Sequence, residues 1–155
     1  MNAVAGIAIT LGRAQRPEFR DYCRQVLANA KVLAESLMAE GAQLVTGGTE
    51  NHMMVLDCVK SFGINGRVAE EALDAISITT NKQVIPDDPN PPLKPSGIRL
   101  GTPAATTRGM AEAEMKQLAR WIVEALRAHD DSQALATLKN EVEDCCKRFP
   151  VPGIA

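Results

Sequence analysis

The sequence has little excess charge and few aromatic residues. Its 17 lysines and arginines stand against 19 aspartates and glutamates, a net charge of −2, and aromatic residues make up only 3% of the chain. Proteins that bind nucleic acids usually present a basic face, and those that bind single strands stack the bases on aromatic rings. The composition therefore argues against a nucleic-acid partner.

Histidine and cysteine are also scarce. The two histidines and four cysteines form no CxxC pair and no spacing typical of a zinc site. The adjacent Cys145 and Cys146 would point in different directions on a helix, which disfavours a disulfide between them. We therefore expect free thiols, a reducing cytoplasmic compartment and no metal.

Long apolar runs are absent as well. The most apolar segment is the first one, MNAVAGIAITL, and the first charged residue, Arg13, follows it. The segment is too short to span a bilayer, and it lacks the positive charges that begin a signal peptide. Its composition is typical of a helix packed closely against another surface, and it has no N-terminal capping residue. We therefore expect further chain upstream and no membrane association.

What the sequence does contain is a series of amphipathic helices. Pro17 suits the first turn of a long helix whose apolar residues recur every three or four positions as far as Gly41. Further helices are predicted from Asn65, whose side chain suits an N-cap, from about Met110, and over residues 132–146. Together with a first helix at the N-terminus, these segments account for most of the chain.

Short apolar and β-branched runs predict strands between the helices. They are residues 43–46, 53–59 and 78–80 and a segment around Arg99. Residues 86–95 hold five of the nine prolines and are predicted to form an extended loop. Because strands and helices do not alternate strictly, we expect an α+β fold. It would have a small, mainly antiparallel sheet of three to four strands, covered by helices and preceded by the long helix.

The residues that carry chemistry are concentrated in the stretch 79–109. Arg99 stands on a predicted strand between Gly97 and Gly101, which leave room around its guanidinium group. This planar group with five donors suits a carboxylate held through two hydrogen bonds. From the local sequence alone, a solvated or ion-paired surface arginine is the commoner alternative.

Several segments resemble serine hydroxymethyltransferases. The main one is SGIRLGTPAATTRG, preceded by TTNK and the proline-rich loop. The strings PEFRDYCRQVLA, LVTGGTENHMMVL and CKRFPVP resemble other segments of that family in the same order. The resemblance covers nearly all of the chain and corresponds to the C-terminal third of the family protein. It implies part of a pyridoxal-phosphate enzyme with the aspartate-aminotransferase-like fold.

The resemblance also implies a division into domains and an activity. Residues 1–15 would belong to the end of a large domain that this sequence lacks, and residues 16–155 would form the small C-terminal domain with its long connecting helix. The family acts in one-carbon metabolism as a cytoplasmic homodimer, converting serine and tetrahydrofolate into glycine and methylene-tetrahydrofolate. The lysine that forms the Schiff base with the cofactor would lie upstream. We therefore expect no catalytic or cofactor-binding residue here, and no activity of the chain alone.

The resemblance implies a binding role for two groups of residues. Arg99 corresponds to the arginine that binds the carboxylate of glycine or serine, and Gln83, Pro91, Pro92 and Leu93 correspond to the part that lines the folate site. Common bacterial forms have asparagine at the first of these four positions and Ser-Pro-Phe at the other three. Gln83 would therefore place its amide one methylene further out, and Leu93 would cover a ring face without aromatic stacking.

The other polar residues near this stretch are interpreted as structural. We expect Lys82 to be a surface lysine at a strand end rather than a residue that forms an imine. His52 is expected to make structural hydrogen bonds, and Arg108 to form an ion pair near a helix start. Asp87 and Asp88 resemble a pair of catalytic carboxylates, but among prolines we expect them to be solvated.

Two other functions are open at this point. The chain could be a non-catalytic interaction or dimerisation module that self-associates through the apolar face of residues 1–11. Alternatively, it could bind a small carboxylate through Arg99 without any chemistry. Whether Met1 is the natural start bears on the first alternative, and titration with glycine or serine tests the second.

Overall fold

The chain forms an α+β fold with one small sheet. The computed structural model describes residues 1–153. In this part, the three strands form an antiparallel sheet in the order β1-β3-β2, which confirms the predicted fold class. In chain order the elements are α1 (Asn2–Ala14), α2 (Pro17–Ala39), β1 (Met53–Asp57), α3 (Cys58–Phe62), α4 (Gly66–Ala75), β2 (Asn81–Gln83), β3 (Gly97–Gly101), α5 (Pro103–Thr107), α6 (Glu112–Arg127) and α7 (Ser132–Arg148).

The core lies between the inner face of the sheet and helices α2, α4 and α6. Each of these elements contributes side chains that are almost fully buried: Leu37, Leu56, Leu73, Ile98 and Ile122. Burying an aliphatic side chain of this size contributes about 1.5–3 kcal/mol. The predicted amphipathic helices therefore turn their apolar faces towards one shared core.

Helix α1 stands apart from that core. None of its residues is buried, and Val4, Ile7, Ile9 and Leu11 are all exposed. Among residues 1–153, no helix is both long enough and apolar enough to cross a membrane.

The strand predicted at residues 43–46 does not form as a strand. This segment makes only an isolated antiparallel bridge between Leu44 and Leu56. Gly47 and Gly48 follow with φ angles of 67° and 150°, conformations that favour glycine. They turn the chain away before the bridge can extend into a ladder.

Two other strand boundaries differ from the prediction. The strand predicted at 53–59 ends at Asp57, because this carboxylate accepts a hydrogen bond from the Lys60 N–H and caps helix α3. Residues 78–80 form no strand, because the chain is still leaving α4: the Ile78 N–H donates to the carbonyl oxygen of Leu73, in the last turn of that helix. Strand β2 therefore begins three residues later than predicted.

Helix α5 is not predicted by the sequence, because five residues show no apolar period. It is held instead by buried polar groups. Asn29 of α2 donates from Nδ2 to Thr106 Oγ1 and to the carbonyl oxygen of Met110, both at 2.9 Å. The Thr102 hydroxyl donates to the carbonyl oxygen of Val26 at 2.9 Å. These bonds tie the segment that follows β3 to the long helix.

The start of α4 lies directly against the backbone that leads into β3. Gly66 donates its N–H to the carbonyl oxygen of Pro95 at 2.6 Å. A Cβ atom at this position would overlap the carbonyl oxygen of Gly97. Only glycine therefore permits this approach of helix to strand.

We expect Gly66→Ala to lower the free energy of unfolding by about 2–3 kcal/mol, because a clash with backbone cannot be relieved by a side-chain rotation. Urea unfolding followed by circular dichroism measures the change. Gly12→Ala is the matched control: this glycine is also helical, but nothing lies within 4 Å of its Cβ position. Equal stabilities of the two variants would contradict the prediction.

Candidate functional site

Arg99 lies in the middle of the outer face of the sheet. The strand register pairs it with Val55 of β1 on one side and with Asn81 of β2 on the other. Its neighbours Ile98 and Leu100 are buried in the core, whereas Arg99 is exposed. Because side chains alternate along a strand, the guanidinium group is directed away from the core.

The two glycines that flank Arg99 share its face of β3 but differ in their surroundings. A Cβ atom at Gly97 would come within 2.7 Å of Ile85 Cγ2, so Ile85 occupies that space. A Cβ atom at Gly101 would make only ordinary contacts, the nearest at 3.4 Å from the His52 carbonyl oxygen. The absence of a side chain therefore lets Ile85 approach the backbone at Gly97, whereas space remains at Gly101.

The guanidinium group of Arg99 is fixed at one end. Its Nε donates to Asn81 Oδ1 at 3.1 Å, and Asn81 Nδ2 donates to the carbonyl oxygen of Lys82 at 3.1 Å. Within residues 1–153, no aspartate or glutamate forms an ion pair with Arg99. The positive charge is not neutralised internally, so the two Nη atoms can take a carboxylate from outside the chain.

Lys82 forms an ion pair with Glu70 of α4. It lies in the middle of β2, not at its end, and its Nζ is 2.8 Å from Glu70 Oε2. Its backbone N–H also donates to Glu70 Oε1 at 3.2 Å, and the hydrogen bond from the ammonium group lowers the pKa of Glu70. This geometry agrees with a structural role for Lys82.

The candidate folate residues lie on the sheet and on the loop that follows it. Gln83 of β2 pairs with Gly97 and is two positions from Asn81, so it shares the outer face with Arg99. Its Nε2 donates to the carbonyl oxygen of Val84 at 3.1 Å. Three exposed residues follow in the connection from β2 to β3: Pro91, Pro92 and Leu93.

Asp88 is half-buried and hydrogen-bonded within its loop, which differs from the expectation that it is simply solvated. Its carboxylate accepts hydrogen bonds from the N–H groups of Ile85, Asn90 and Ser96, and from the Ser96 hydroxyl at 2.6 Å. Burial raises the pKa of Asp88, but these hydrogen bonds outweigh it and lower the pKa to about 2. The signal in the sequence is Asp-Pro-Asn, a pattern that favours a turn closed by the aspartate side chain. Asp87 is exposed, as expected.

Arg108 also differs from its prediction. It donates from Nε to the carbonyl oxygen of Phe149 at 2.7 Å and from Nη2 to that of Cys146 at 3.1 Å. The guanidinium group therefore stabilises the end of α7 instead of pairing with a carboxylate. His52 is exposed, and its carbonyl oxygen accepts a hydrogen bond from the Thr102 N–H at 3.1 Å.

The cysteines show no sign of reactivity. All four cysteines are free, and burial raises the pKa of the Cys58 thiol to about 12.

A cleft of about 690 Å³, which the sequence does not predict, lies between α2, residues 45–51 and β1. Lys31 and Glu35 on its wall pair with each other. Among residues 1–153, no group of three or more histidine, cysteine or acidic side chains could hold a metal.

The hydrogen bonds to Asp88 predict a measurable acid titration. We expect carbon-detected NMR to give this carboxyl group a midpoint near pH 2, below the ordinary value of 3.8. A depressed pKa stabilises the fold above the unfolded-state value, so this contribution is lost as the pH falls from about 4 to about 2. In Asp88→Asn, the free energy of unfolding should change less across that range. A midpoint near 4 would contradict the prediction.

Comparison of this chain with known proteins points to one family. The family model for serine hydroxymethyltransferase matches residues 1–122. Three curated relatives carry that name: those of Koribacter versatilis, 46% identical over 151 residues, Myxococcus xanthus, 49% over 151, and Acidothermus cellulolyticus, 48% over 159. The matches cover 97–99% of this chain but only 35–37% of each relative. The chain therefore spans little more than a third of their length.

Proposed function

This chain belongs to the serine hydroxymethyltransferase family, and on that premise we propose that it supplies the substrate-binding C-terminal domain of such an enzyme. The complete enzyme would transfer the hydroxymethyl carbon of serine to tetrahydrofolate and release glycine. In this proposal, Arg99 binds the amino-acid carboxylate, and Gln83 and the loop residues Pro91, Pro92 and Leu93 face the folate.

The observation that carries the proposal is that Arg99 is exposed and held in one position. The residue is exposed on a sheet whose register fixes its backbone, and Asn81 holds its Nε. The two Nη atoms can then form paired hydrogen bonds with a carboxylate in one orientation. Fixing the carboxylate orients the rest of a small amino acid, which lowers the entropic cost of reaching a reactive geometry.

The loop after β2 supports the folate part of the proposal. Leu93 is 79% exposed, and the two prolines before it are also exposed. An apolar edge of this kind suits the face of a flat, fused-ring heterocycle. Gln83, on the same face of the sheet as Arg99, offers an amide that both donates and accepts hydrogen bonds.

Pyridoxal phosphate would withdraw electrons from the substrate in the complete enzyme, but the described residues do not fit it. A lysine that forms an imine is activated by desolvation, and none of the seven lysines is buried. We place the Schiff-base lysine and the large domain in an upstream segment, against which residues 1–15 would pack. The isolated chain would then be inactive, and the complete protein a cytoplasmic homodimer.

A second candidate function is self-association without catalysis. It is favoured by helix α1, which exposes Val4, Ile7 and Leu11 and contributes nothing to the core. Apolar faces of this kind often mark a contact with another protein surface.

Combining the chain with the remaining part of a relative tests the proposal. The chain would be produced alone and together with the part of the Myxococcus xanthus relative that it does not cover, and the conversion of serine to glycine would be measured with tetrahydrofolate. We expect activity from the pair and none from the chain alone. Activity of the chain alone would contradict the proposal. An inactive pair, with a chain that sediments as a dimer by itself, would favour the second candidate.

Replacing the arginine tests its role. We expect Arg99→Lys in the active pair to reduce kcat/KM for serine about 100-fold, because an ammonium group cannot form the paired hydrogen bonds of a guanidinium group. Steady-state kinetics with varied serine measure the loss. Arg67→Lys is the matched control, since Arg67 is an exposed arginine whose Nε lies 2.8 Å from Glu71 Oε1 on α4. A similar loss in both variants, or none in Arg99→Lys, would overturn the assignment.

A further inference from the structure

One carboxylate closes the proline-rich loop between β2 and β3. Asp88 Oδ2 accepts hydrogen bonds from the N–H groups of Ile85 and Ser96, at 3.2 and 2.9 Å, and so joins the two ends of the loop. Asp88 Oδ1 accepts from the Asn90 N–H at 3.0 Å and from the Ser96 hydroxyl. Asn90 Nδ2 donates to that same hydroxyl at 2.9 Å. The loop is therefore organised around a single side chain.

The end of this loop is anchored in the core. Ser96 is almost fully buried, and its carbonyl oxygen accepts a hydrogen bond from the Cys58 N–H at 2.9 Å. The carbonyl oxygen of Pro95 accepts from the Gly66 N–H at the start of α4. Asp88 links this fixed end to Ile85 in the first half of the loop.

The opposite end of the loop is its exposed tip. The Lys94 N–H donates to the carbonyl oxygen of Pro91 at 2.8 Å, which forms a turn that presents Leu93 to solvent. Residues 91–94 are all exposed, and no hydrogen bond among the described residues joins them to the core. Its position therefore depends on the prolines and on the hydrogen bonds to Asp88.

We propose that Asp88 is a positioning residue for folate: its carboxylate holds residues 85–96 in the conformation in which Leu93 and the prolines meet the ring of tetrahydrofolate. This inference rests on the proposed function and deepens it. A loop that is ordered before binding spares the ligand the cost of ordering it. Arg99 is held independently, by strand pairing on both sides and by Asn81. The loss of Asp88 should therefore weaken folate recognition and leave serine recognition intact.

Asp88→Asn and Asp87→Asn form a matched pair of variants. At position 88, the amide keeps the shape of the carboxylate but places an NH₂ group opposite N–H donors. At position 87 the same charge is removed from an exposed side chain, and its φ of 53° is a conformation that asparagine tolerates well. Any effect of charge alone should therefore appear in both variants.

The first measurement is hydrogen exchange of the complete chain, followed by mass spectrometry. We expect the amides of residues 85–96 to exchange roughly tenfold faster in Asp88→Asn, because hydrogen bonds to a charged acceptor are lost, while the helices stay protected. Asp87→Asn should match the unaltered chain. Unchanged loop exchange in Asp88→Asn would overturn the proposal, as would faster exchange of the whole chain.

The second measurement uses the chain paired with the complementary part of the Myxococcus xanthus relative. We expect Asp88→Asn to raise KM for tetrahydrofolate roughly tenfold and to change KM for serine and kcat by less than about twofold. Equal increases in both KM values would overturn the positioning role while leaving the proposed function standing. An unaltered pair without tetrahydrofolate-dependent activity would overturn the proposed function and the folate role with it, even if the loop loosens as expected.

Discussion

The pairing of β3 with a strand on each side is the constraint on which the rest of this structure depends. Ile98 and Leu100 of this strand are buried in the core, and the alternation of side chains then forces Arg99 onto the opposite face. A slip of the register by one residue would bury the guanidinium group and expose both aliphatic side chains. The burial of two apolar residues therefore fixes the position of the charge that we assign to substrate binding.

Polar groups outside the sheet hold both ends of the same strand. At its start, Ser96 is bound by the Asp88 carboxylate and by the backbone of α3. Just after its end, the Thr102 hydroxyl donates to α2, and the buried Asn29 holds the next helix through Thr106. Buried polar side chains are costly unless they are hydrogen-bonded, and here they are. Residues that do not line the candidate site therefore also hold the strand that carries Arg99.

The parts that could be predicted from sequence are those that depend on local pattern. The periodicity of the long helix, the N-cap at Asn65 and the exposure of Arg99 on a short strand all follow from residues close together in the chain. The parts that could not are settled by distant partners. Asp88 has its low pKa because Ser96, at the other end of the loop, donates a hydrogen bond to its carboxylate. Helix α5 forms because Asn29 donates a hydrogen bond to Thr106. The local pattern at Asp88 predicts a turn but does not identify Ser96 as a partner, and Asn29 is 77 residues from Thr106.

The pleat of the sheet also places the charged groups of Lys82 and Arg99 on opposite sides. Lys82 pairs with Ile98, the residue next to Arg99, yet its ammonium group binds Glu70 of α4 while Arg99 is directed away from the core. Adjacent positions on a strand lie on opposite faces, so a small amino acid whose carboxylate is bound by Arg99 faces away from Lys82. Freeing that lysine would also leave the partly buried Glu70 carboxylate without its partner. If the chain serves the proposed reaction, Lys82 is therefore not placed to form the imine, and the contribution of this sheet is recognition.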